Sequence, residues 1–408
     1  MYNIEEDVDR LILVAVATNN EKEVQESLEE LEELSKTAGC VVVAKVVQNR
    51  ESVHPGTYIG KGKIEEVALL IDELNATTIV CDDELSPAQI KNLEQVLHVK
   101  IIDRTVMILD IFAARACTSE GKIQVELAQL RYRSSRLTGM GVSLSRLGGG
   151  IGTRGPGEKK LETDRRLIKD RISQLKKELD DVVKVRENNR NLRKNNHMPV
   201  IAIVGYTNAG KSTLLNKLTD AGVLEEDKLF ATLDPTTRNF KCPNGQEILF
   251  TDTVGFIRKL PHHLIDAFKS TLEEAKYADI ILHVVDSSNE QADSQMHIVY
   301  DTLKKLDVCD KPVITVFNKI DKENADLSIK DLRSDRSVYI SAKKETGLDE
   351  LIEILQDMIN KGMTYIQKVY PYNEAGKIQA IRKYGQIIKE EYVQEGIYVE
   401  AYAPKQYA

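Results

Sequence analysis

At 408 residues, with 42 % apolar and 29 % charged positions, the sequence has the length of about three domains at roughly 100–200 residues each and the composition of a globular protein. Nowhere do about 18 apolar residues run together, which excludes a membrane-spanning helix, and the acidic start MYNIEEDVDR lacks the apolar core of an export signal, so a cytoplasmic location is expected. The net charge of −8 is uneven: residues 131–194 hold 18 Lys and Arg against 8 Asp and Glu, so an acidic body carries one basic segment, suited to a nucleic-acid partner or to a solvated helix face.

The run RLILVAVAT (10–18) predicts a strand. EKEVQESLEELEELSKTA, with Val24, Leu28, Leu31 and Ser35 at helical spacing, predicts a helix, and VVVAKVV a second strand. A helix over KIEEVALLIDEL, a strand over TTIVCDD, a helix from SPAQIKNLEQVL and the short strand KIIDR continue the alternation. Residues 1–112 are therefore expected to form a small α/β domain. Within it, YIGKGKIEE sets Gly60, Lys61, Gly62 and Lys63 before a helix; this reads equally as a phosphate contact or as a basic turn, and it is too short for a second nucleotide site. Five cysteines (Cys40, Cys81, Cys117, Cys242, Cys309) lie far apart with no CxxC pair, which suits reduced thiols, and the seven histidines show no metal-ligand spacing.

Residues 113–196 predict a helical hairpin. EGKIQVELAQLRYRSSRL places Ile123, Leu127, Leu130 and Leu137 on one seam. EKKLETDRRLIKDRISQLKKELDDVVKVRENN places Ile168, Ile172, Leu175, Leu179 and Val182 on another, so the two coiled-coil-like helices are expected to pack on each other. A glycine-rich loop at 139–158 joins them. The stretch GMGVSLSRLGGGIGTRGPGEKK (139–160) is too long for an ordinary helix connection and carries Arg and Lys. A mobile loop is expected there, with Arg146, Arg154, Lys159 and Lys160 as candidate RNA contacts, since folded RNA is recognised through shape and phosphate. The stretch NNRNLRKNNH reads as a domain boundary.

From 197 to 362 the runs VIAIVG, EILFTDT, DIILHVVD, PVITVFN and SVYIS alternate with helical stretches. They predict a parallel, doubly wound sheet with its ligand at the carboxyl ends of the strands. Residues 363–408 predict a small C-terminal α/β domain of a strand (MTYIQKVY), a short helix (AGKIQAIRKY) and a hairpin.

Four motifs fall on strand ends of the third domain. GYTNAGKS (205–212) matches GxxxxGK[ST] between an apolar strand and a helical stretch, the pattern of a phosphate-binding loop. Gly205, Tyr206, Thr207, Asn208, Ala209, Gly210 and Thr213 would surround the phosphates. Lys211 would supply charge to the β/γ oxygens, and the Ser212 hydroxyl a Mg²⁺ ligand. DTVG (252–255) places Asp252 to hold Mg²⁺ through water, with Thr253 and Val254 beside it and the Gly255 amide for the γ-phosphate. NKID (318–321) supplies Asp321, whose carboxylate accepts two hydrogen bonds from guanine that adenine cannot donate, supported by Asn318, Lys319 and Ile320. SAK (341–343) adds Ser341, Ala342 and Lys343, with a backbone amide for the guanine carbonyl. Together they predict a GTPase. Phe256 stands where many GTPases have a water-orienting glutamine, so hydrolysis is expected to be slow until a partner or another side chain supplies a polar group. Three threonines of LFATLDPTTRNF (Thr232, Thr236, Thr237) could each supply a switch hydroxyl to Mg²⁺, and spacing does not choose among them.

With FATLDPTTR, DTVGFI, the long helical segment, YIGKGKIEEV and GGGIGTRGPGEKKLETDRR assembled, the chain resembles the HflX family of the Obg–HflX GTPase superfamily over nearly its whole length. The resemblance implies Thr232 as the switch Mg²⁺ ligand and catalytic residue beside Lys211 and Gly255, with Phe230, Ala231, Leu233 and Asp234 around the nucleotide. Asn208 occupies the position that helps hold K⁺ in related GTPases with asparagine there. The resemblance also implies a monomer that binds the large ribosomal subunit, its glycine-rich loop approaching 23S rRNA near the peptidyl-transferase centre. Such a protein would split or rescue 70S ribosomes under stress, or act as an assembly or dormancy factor with GTP as an occupancy switch.

Overall fold

In the computed structural model the described residues are 8–18, 20–144, 156–195, 198–219, 229–230, 233, 235–260, 264, 274–308 and 310–403; the side chains of 138–144, 156–161 and 186–195 are not described. Two compact units divide the chain. The first comprises residues up to Asp181 with Lys228–Phe230 and Arg258–Phe268; the second comprises Val182–Asp227, Ala231–Ile257 and Lys269–Ala408.

Unit 1 contains β1 (Arg10–Ala17), β2 (Val41–Asn49), β3 (Thr78–Cys81) and β4 (Lys100–Asp103), a parallel sheet in the order β2-β1-β3-β4. Leu11 to Ala17 are all buried, which is why this strand reads as a continuous apolar run and does not alternate. The connecting helices are α1 (Glu21–Thr37), α2 (Lys61–Leu74) and α3 (Pro87–Leu97). Ser86 and Gln89 cap α3 reciprocally, with Pro87 inside its start. A fourth helix, α4 (Arg104–Arg115), follows β4 with no intervening turn and is absent from the expected elements. Asp103 ends the strand and caps the helix by accepting from the Val106 amide at 3.1 Å. No disulfide involves Cys40, Cys81, Cys117 or Cys242, and Cys309 lies outside the described residues.

The hairpin helices are α5 (Ser119–Leu144) and α6 (Pro156–Asn195). Both run past their expected ends. α5 continues through Gly139 and Gly141 to Leu144, inside the stretch expected as loop. α6 starts with Pro156 at its first position, where the missing N–H costs nothing, and runs through NNRNLRKN, expected as a boundary. No proline or glycine occurs from Glu158 to Asn195, so nothing in that stretch breaks helix propagation. The expected seams are unevenly buried. Leu127 and Leu175 are fully buried, but Ile123, Leu130, Ile168, Ile172 and Leu179 are only partly so. The most buried face of α5 is Val125, Leu127, Ala128 and Tyr132, and α5 packs on α3 and α4. Tyr132 donates to Asp103 at 2.9 Å, and Arg136, stacked 3.3 Å over the Tyr132 ring, reaches the same carboxylate at 2.6 Å. Arg171 still joins α6 to α5 through Glu126, at 2.8 and 2.9 Å.

Unit 2 contains β5 (Val200–Gly205), α7 (Lys211–Thr219), β6 (Thr236–Lys241), β7 (Glu247–Asp252), α8 (Glu274–Tyr277), β8 (Ile280–Asp286), α9 (Ala292–Lys305), β9 (Val313–Asn318), β10 (Arg336–Tyr339) and α10 (Leu348–Lys361). The sheet order is β10-β9-β8-β5-β7-β6. It is doubly wound but not all parallel, as was expected, because β6 pairs antiparallel with β7 at the edge. The segment after α7 returns to β7 as a hairpin strand and so reverses direction. After α10 come β11 (Thr364–Tyr370), α11 (Ala375–Tyr384), β12 (Gln386–Val393) and β13 (Gly396–Ala403). They form an antiparallel sheet β11-β13-β12 with its own core of Ile366, Tyr370, Ile378, Ile381 and Val399. No helix among the described residues is long and apolar enough to cross a membrane.

Unit 1 holds a buried charge cluster at the carboxyl end of β3. Asp82 is fully buried and accepts from Ser27 at 2.7 Å, Arg104 at 2.8 Å and Lys259 at 2.5 Å. Arg104, itself 2 % exposed, also pairs with Glu30. Burial alone would raise the Asp82 carboxyl, but the Arg104 guanidinium and the Lys259 ammonium overcome it and hold the group below its ordinary range. Because the folded value is depressed, this stabilisation is full above the unfolded carboxylate value near about 4 and is lost as the pH falls through the folded value. Arg104→Ala is expected to cost about 3 kcal/mol at neutral pH in urea denaturation, with a deficit that shrinks in acid. An equal deficit at both pH values would contradict this account.

Candidate nucleotide site

The candidate site forms where β5 ends between β7 and β8, the point at which strand order reverses and a crevice opens at the carboxyl ends. Two glycines make the approach possible. Gly205 has φ 154°, and a Cβ there would lie 2.3 Å from the Val284 carbonyl oxygen. Gly210 has φ 93°, and a Cβ would lie 2.3 Å from Asn318 Nδ2. Between them Asn208 is left-handed at φ 58° and exposed, while Tyr206, Thr207 and Ala209 are buried.

The loop is tied on both sides. The Phe256 amide donates to the Gly205 carbonyl at 3.1 Å, and the Thr207 amide donates to the Phe256 carbonyl at 2.8 Å, so the DTVGF segment and the loop share one backbone clasp. On the other side Asn318 donates to the Ala209 carbonyl at 2.9 Å and accepts from the Ala342 amide at 3.0 Å. Lys319, left-handed at φ 67°, donates to the Asn208 carbonyl at 2.7 Å and pairs with Asp286 at 2.7 Å. Two motifs far apart in sequence are thus fastened to one loop, and SAK is joined to it through Asn318.

Lys211 opens α7 and is buried, its Nζ donating to the Tyr206 carbonyl at 2.7 Å. Burial lowers this lysine to about 8; Asp252 opposes the shift and Lys319 adds to it. Ser212 donates to Asp252 at 2.8 Å, so a hydroxyl and a carboxylate meet, a pair of hard oxygen donors that suits Mg²⁺. Thr213 lies in the first turn of α7, Thr253 donates to the Ile203 carbonyl at 2.8 Å, and Val254 is buried. Gly255 stands against the loop: a Cβ on it would lie 2.9 Å from Thr207 and 3.0 Å from Lys211 Nζ. Asp321 accepts from Ser341 at 2.6 Å, and that hydrogen bond holds its carboxyl below the ordinary range, charged and ready to accept N–H donors. Ser341 also accepts from the Lys344 amide at 3.1 Å, and the Ile320 amide donates to the Ile340 carbonyl at 3.3 Å. Lys343 is exposed in the turn that follows.

The switch candidates separate. Thr237 shares a hydrogen bond of 3.1 Å with Thr251 across the β6–β7 edge, and Thr236 begins that strand. Leu233 is buried, and Phe230 belongs to unit 1, edge-on to Phe112 with centroids 4.7 Å apart. Ala231, Thr232 and Asp234 lie outside the described residues, as do Arg146 and Arg154; Lys159 and Lys160 are on α6, but their side chains are not described. Asp286, which neutralises Lys319, is not among the residues expected from the motifs. Its signal was an acidic residue at the end of an apolar strand, DIILHVVD.

Comparison with known proteins fits this geometry. A family model for a GTP-binding GTPase N-terminal region matches residues 25–113, one for the middle region matches 115–193, and one described as a 50S ribosome-binding GTPase matches 200–319. A protein of Lacrimispora saccharolytica named GTPase HflX is 66 % identical over 406 residues, covering 100 % of this chain and 96 % of that one. The chain belongs to the HflX family of GTPases. Another HflX, from Caldanaerobacter subterraneus subsp. tengcongensis, is 49 % identical across 98 % of this chain and 92 % of its own, and that of Escherichia coli is 40 % identical across 95 % and 91 %. As an HflX protein the chain is a P-loop GTPase that hydrolyses GTP.

A buried lysine near 8 makes anion binding proton-linked. Held neutral by burial at high pH, Lys211 would have to take up a proton to meet a phosphate, so binding there would favour its charged form. Affinity for a non-hydrolysable GTP analogue is expected to stay level below pH 8 and to fall, by at most about tenfold per unit, as the pH rises above it. Affinity that does not change between pH 7 and pH 9.5 would remove Lys211 from the phosphate contact.

Proposed function

We propose that the crevice at the end of β5 is the GTP site and that GTP turnover there governs attachment to the large ribosomal subunit, with splitting or rescue of 70S ribosomes as the outcome. For the site, the observation that carries the reading is the convergence of Asn318, Lys319 and Phe256 on the carbonyls and amides of one phosphate-binding loop. For the ribosome, the family model's description over residues 200–319 and the basic segment 131–194 support it.

In this reading the amides of Gly205 to Thr213 and the Lys211 ammonium bind the β- and γ-phosphates. The Gly255 amide meets the γ-phosphate, and Asp321 reads the guanine N1–H and exocyclic amine, with Asn318 and Ala342 fixing the two base-side loops. Ser212 and Asp252, together with Thr232, would hold Mg²⁺, which when bound neutralises phosphate charge. Asn208, exposed in the loop, carries an amide oxygen, a hard donor, and would help hold K⁺. The side chains of Arg146, Arg154, Lys159 and Lys160 would meet phosphates of 23S rRNA near the peptidyl-transferase centre. The protein works in the cytoplasm as a monomer that joins ribosomes in its GTP state and leaves after hydrolysis.

Purified 70S ribosomes sedimented with the protein and a non-hydrolysable GTP analogue are expected to yield free subunits, and isolated large subunits to raise the GTPase rate. A stable 70S complex would favour an assembly or dormancy factor, and no stimulation by ribosomes would favour a GTPase that acts on a protein partner. Deleting 148–157 is expected to spare GTP binding and weaken ribosome binding; equal ribosome affinity would return that segment to linker status. GTPase rates are also expected to be higher in KCl than in NaCl at equal ionic strength, and equal rates would dismiss the K⁺ role of Asn208.

A further inference from the structure

GTP hydrolysis needs a polar group to orient the attacking water, and the residue after Gly255 cannot provide one. Phe256 is 2 % exposed, its backbone amide and carbonyl are both engaged with the P-loop, and its ring carries no polar atom. The neighbouring P-loop residue has what Phe256 lacks. Thr207 is 6 % exposed, and its hydroxyl is buried with no hydrogen-bond partner among the described residues. A buried hydroxyl left unpaired costs about 1–3 kcal/mol, and such a group in a native fold marks a missing partner.

The position of Thr207 says which partner. Its amide is held by the Phe256 carbonyl at 2.8 Å. Its Cα and Cγ2 would each lie 2.9 Å from a Cβ built on Gly255, and Lys211 Nζ 3.0 Å from the same point. The Thr207 side chain and the Lys211 ammonium therefore stand against the same side of Gly255. Three nearby polar side chains are already engaged: Ser212 with Asp252, Thr253 with the Ile203 carbonyl, and Asn318 with Ala209 and Ala342.

We propose that Thr207 is a catalytic residue of this GTPase, its hydroxyl accepting a hydrogen bond from the attacking water while donating to a γ-phosphate oxygen. A hydroxyl has one donor and two acceptor positions, so it can make both contacts at once. The water oxygen bonds to the γ-phosphorus as the bond from phosphorus to the β,γ-bridging oxygen breaks. The electron pair leaves with GDP, and a water proton ends on an oxygen of the released phosphate. Thr207 is unchanged by the step and contributes alignment. The proposal rests on the assignment of the P-loop as the phosphate site.

Single-turnover hydrolysis by the full chain, with binding of a non-hydrolysable GTP analogue measured in parallel, tests it. Thr207→Val keeps the shape and removes the hydroxyl; it is expected to slow hydrolysis roughly 100-fold while analogue affinity falls no more than about tenfold, the loss of one hydrogen bond to the γ-phosphate. Thr207→Ser is expected to retain most of the rate. The proposal fails if Thr207→Val hydrolyses within about threefold of the unaltered chain, if valine and serine are equally slow, or if valine abolishes analogue binding. Lys211→Ala separates the two levels: loss of analogue binding upholds the P-loop assignment, and retained binding overturns it together with the role of Thr207.

Discussion

The backbone clasp at the end of β5 is the constraint on which the candidate site depends. Gly205 gives its carbonyl to the Phe256 amide, and Phe256 gives its carbonyl to the Thr207 amide. The loops that follow two neighbouring parallel strands, β5 and β7, thereby behave as one piece of backbone. The clasp is possible only because Gly205 lets β5 pass against the Val284 carbonyl, where any Cβ would collide with main chain. Once it forms, Thr207, Lys211 and Gly255 have no independent freedom to drift apart. Their mutual placement follows from sheet geometry and owes little to side-chain packing.

Electrostatics complete what the backbone begins. A loop built from left-handed turns and buried lysine is unstable on its own, and each charge in it has a counterpart nearby. Lys319 would repel Lys211, and the carboxylate of Asp286 at 2.7 Å offsets that repulsion. Asp252 opposes the desolvation of Lys211 and holds the Ser212 hydroxyl. The candidate site would therefore receive an anion without being strongly cationic in its absence.

The parts of this fold that were legible in the sequence are those whose signal is local. Apolar runs such as VIAIVG and PVITVFN became buried strands, and GYTNAGKS, DTVG, NKID and SAK fell at strand ends, because glycine, lysine and carboxylate are needed there by backbone geometry and phosphate chemistry. What escaped depends on distant partners. Helix α4 was hidden because Asp103 closes a strand and caps a helix in a single residue, leaving no turn to read. Strand β6, TTRNFK, has no alternating burial because it lies at an exposed sheet edge, so neither helix nor strand periodicity showed. The heptad pattern of α5 suggested a partner in α6, yet its most buried face is secured by Tyr132 and Arg136 reaching Asp103, a polar arrangement no periodicity encodes. The two helices do meet, through Arg171 and Glu126.

Helix α6 has a geometric consequence of its own. Forty residues of one continuous helix form a rod about 60 Å long at 1.5 Å per residue. Such a rod is a ruler with an angular scale as well as a linear one. One inserted residue would turn everything beyond it by about 100°, whereas seven would restore the facing to within about 20° and lengthen the rod by about 10 Å. Length can thus change without a change of facing only where the inserted residues complete nearly whole turns, as about seven or about eleven do.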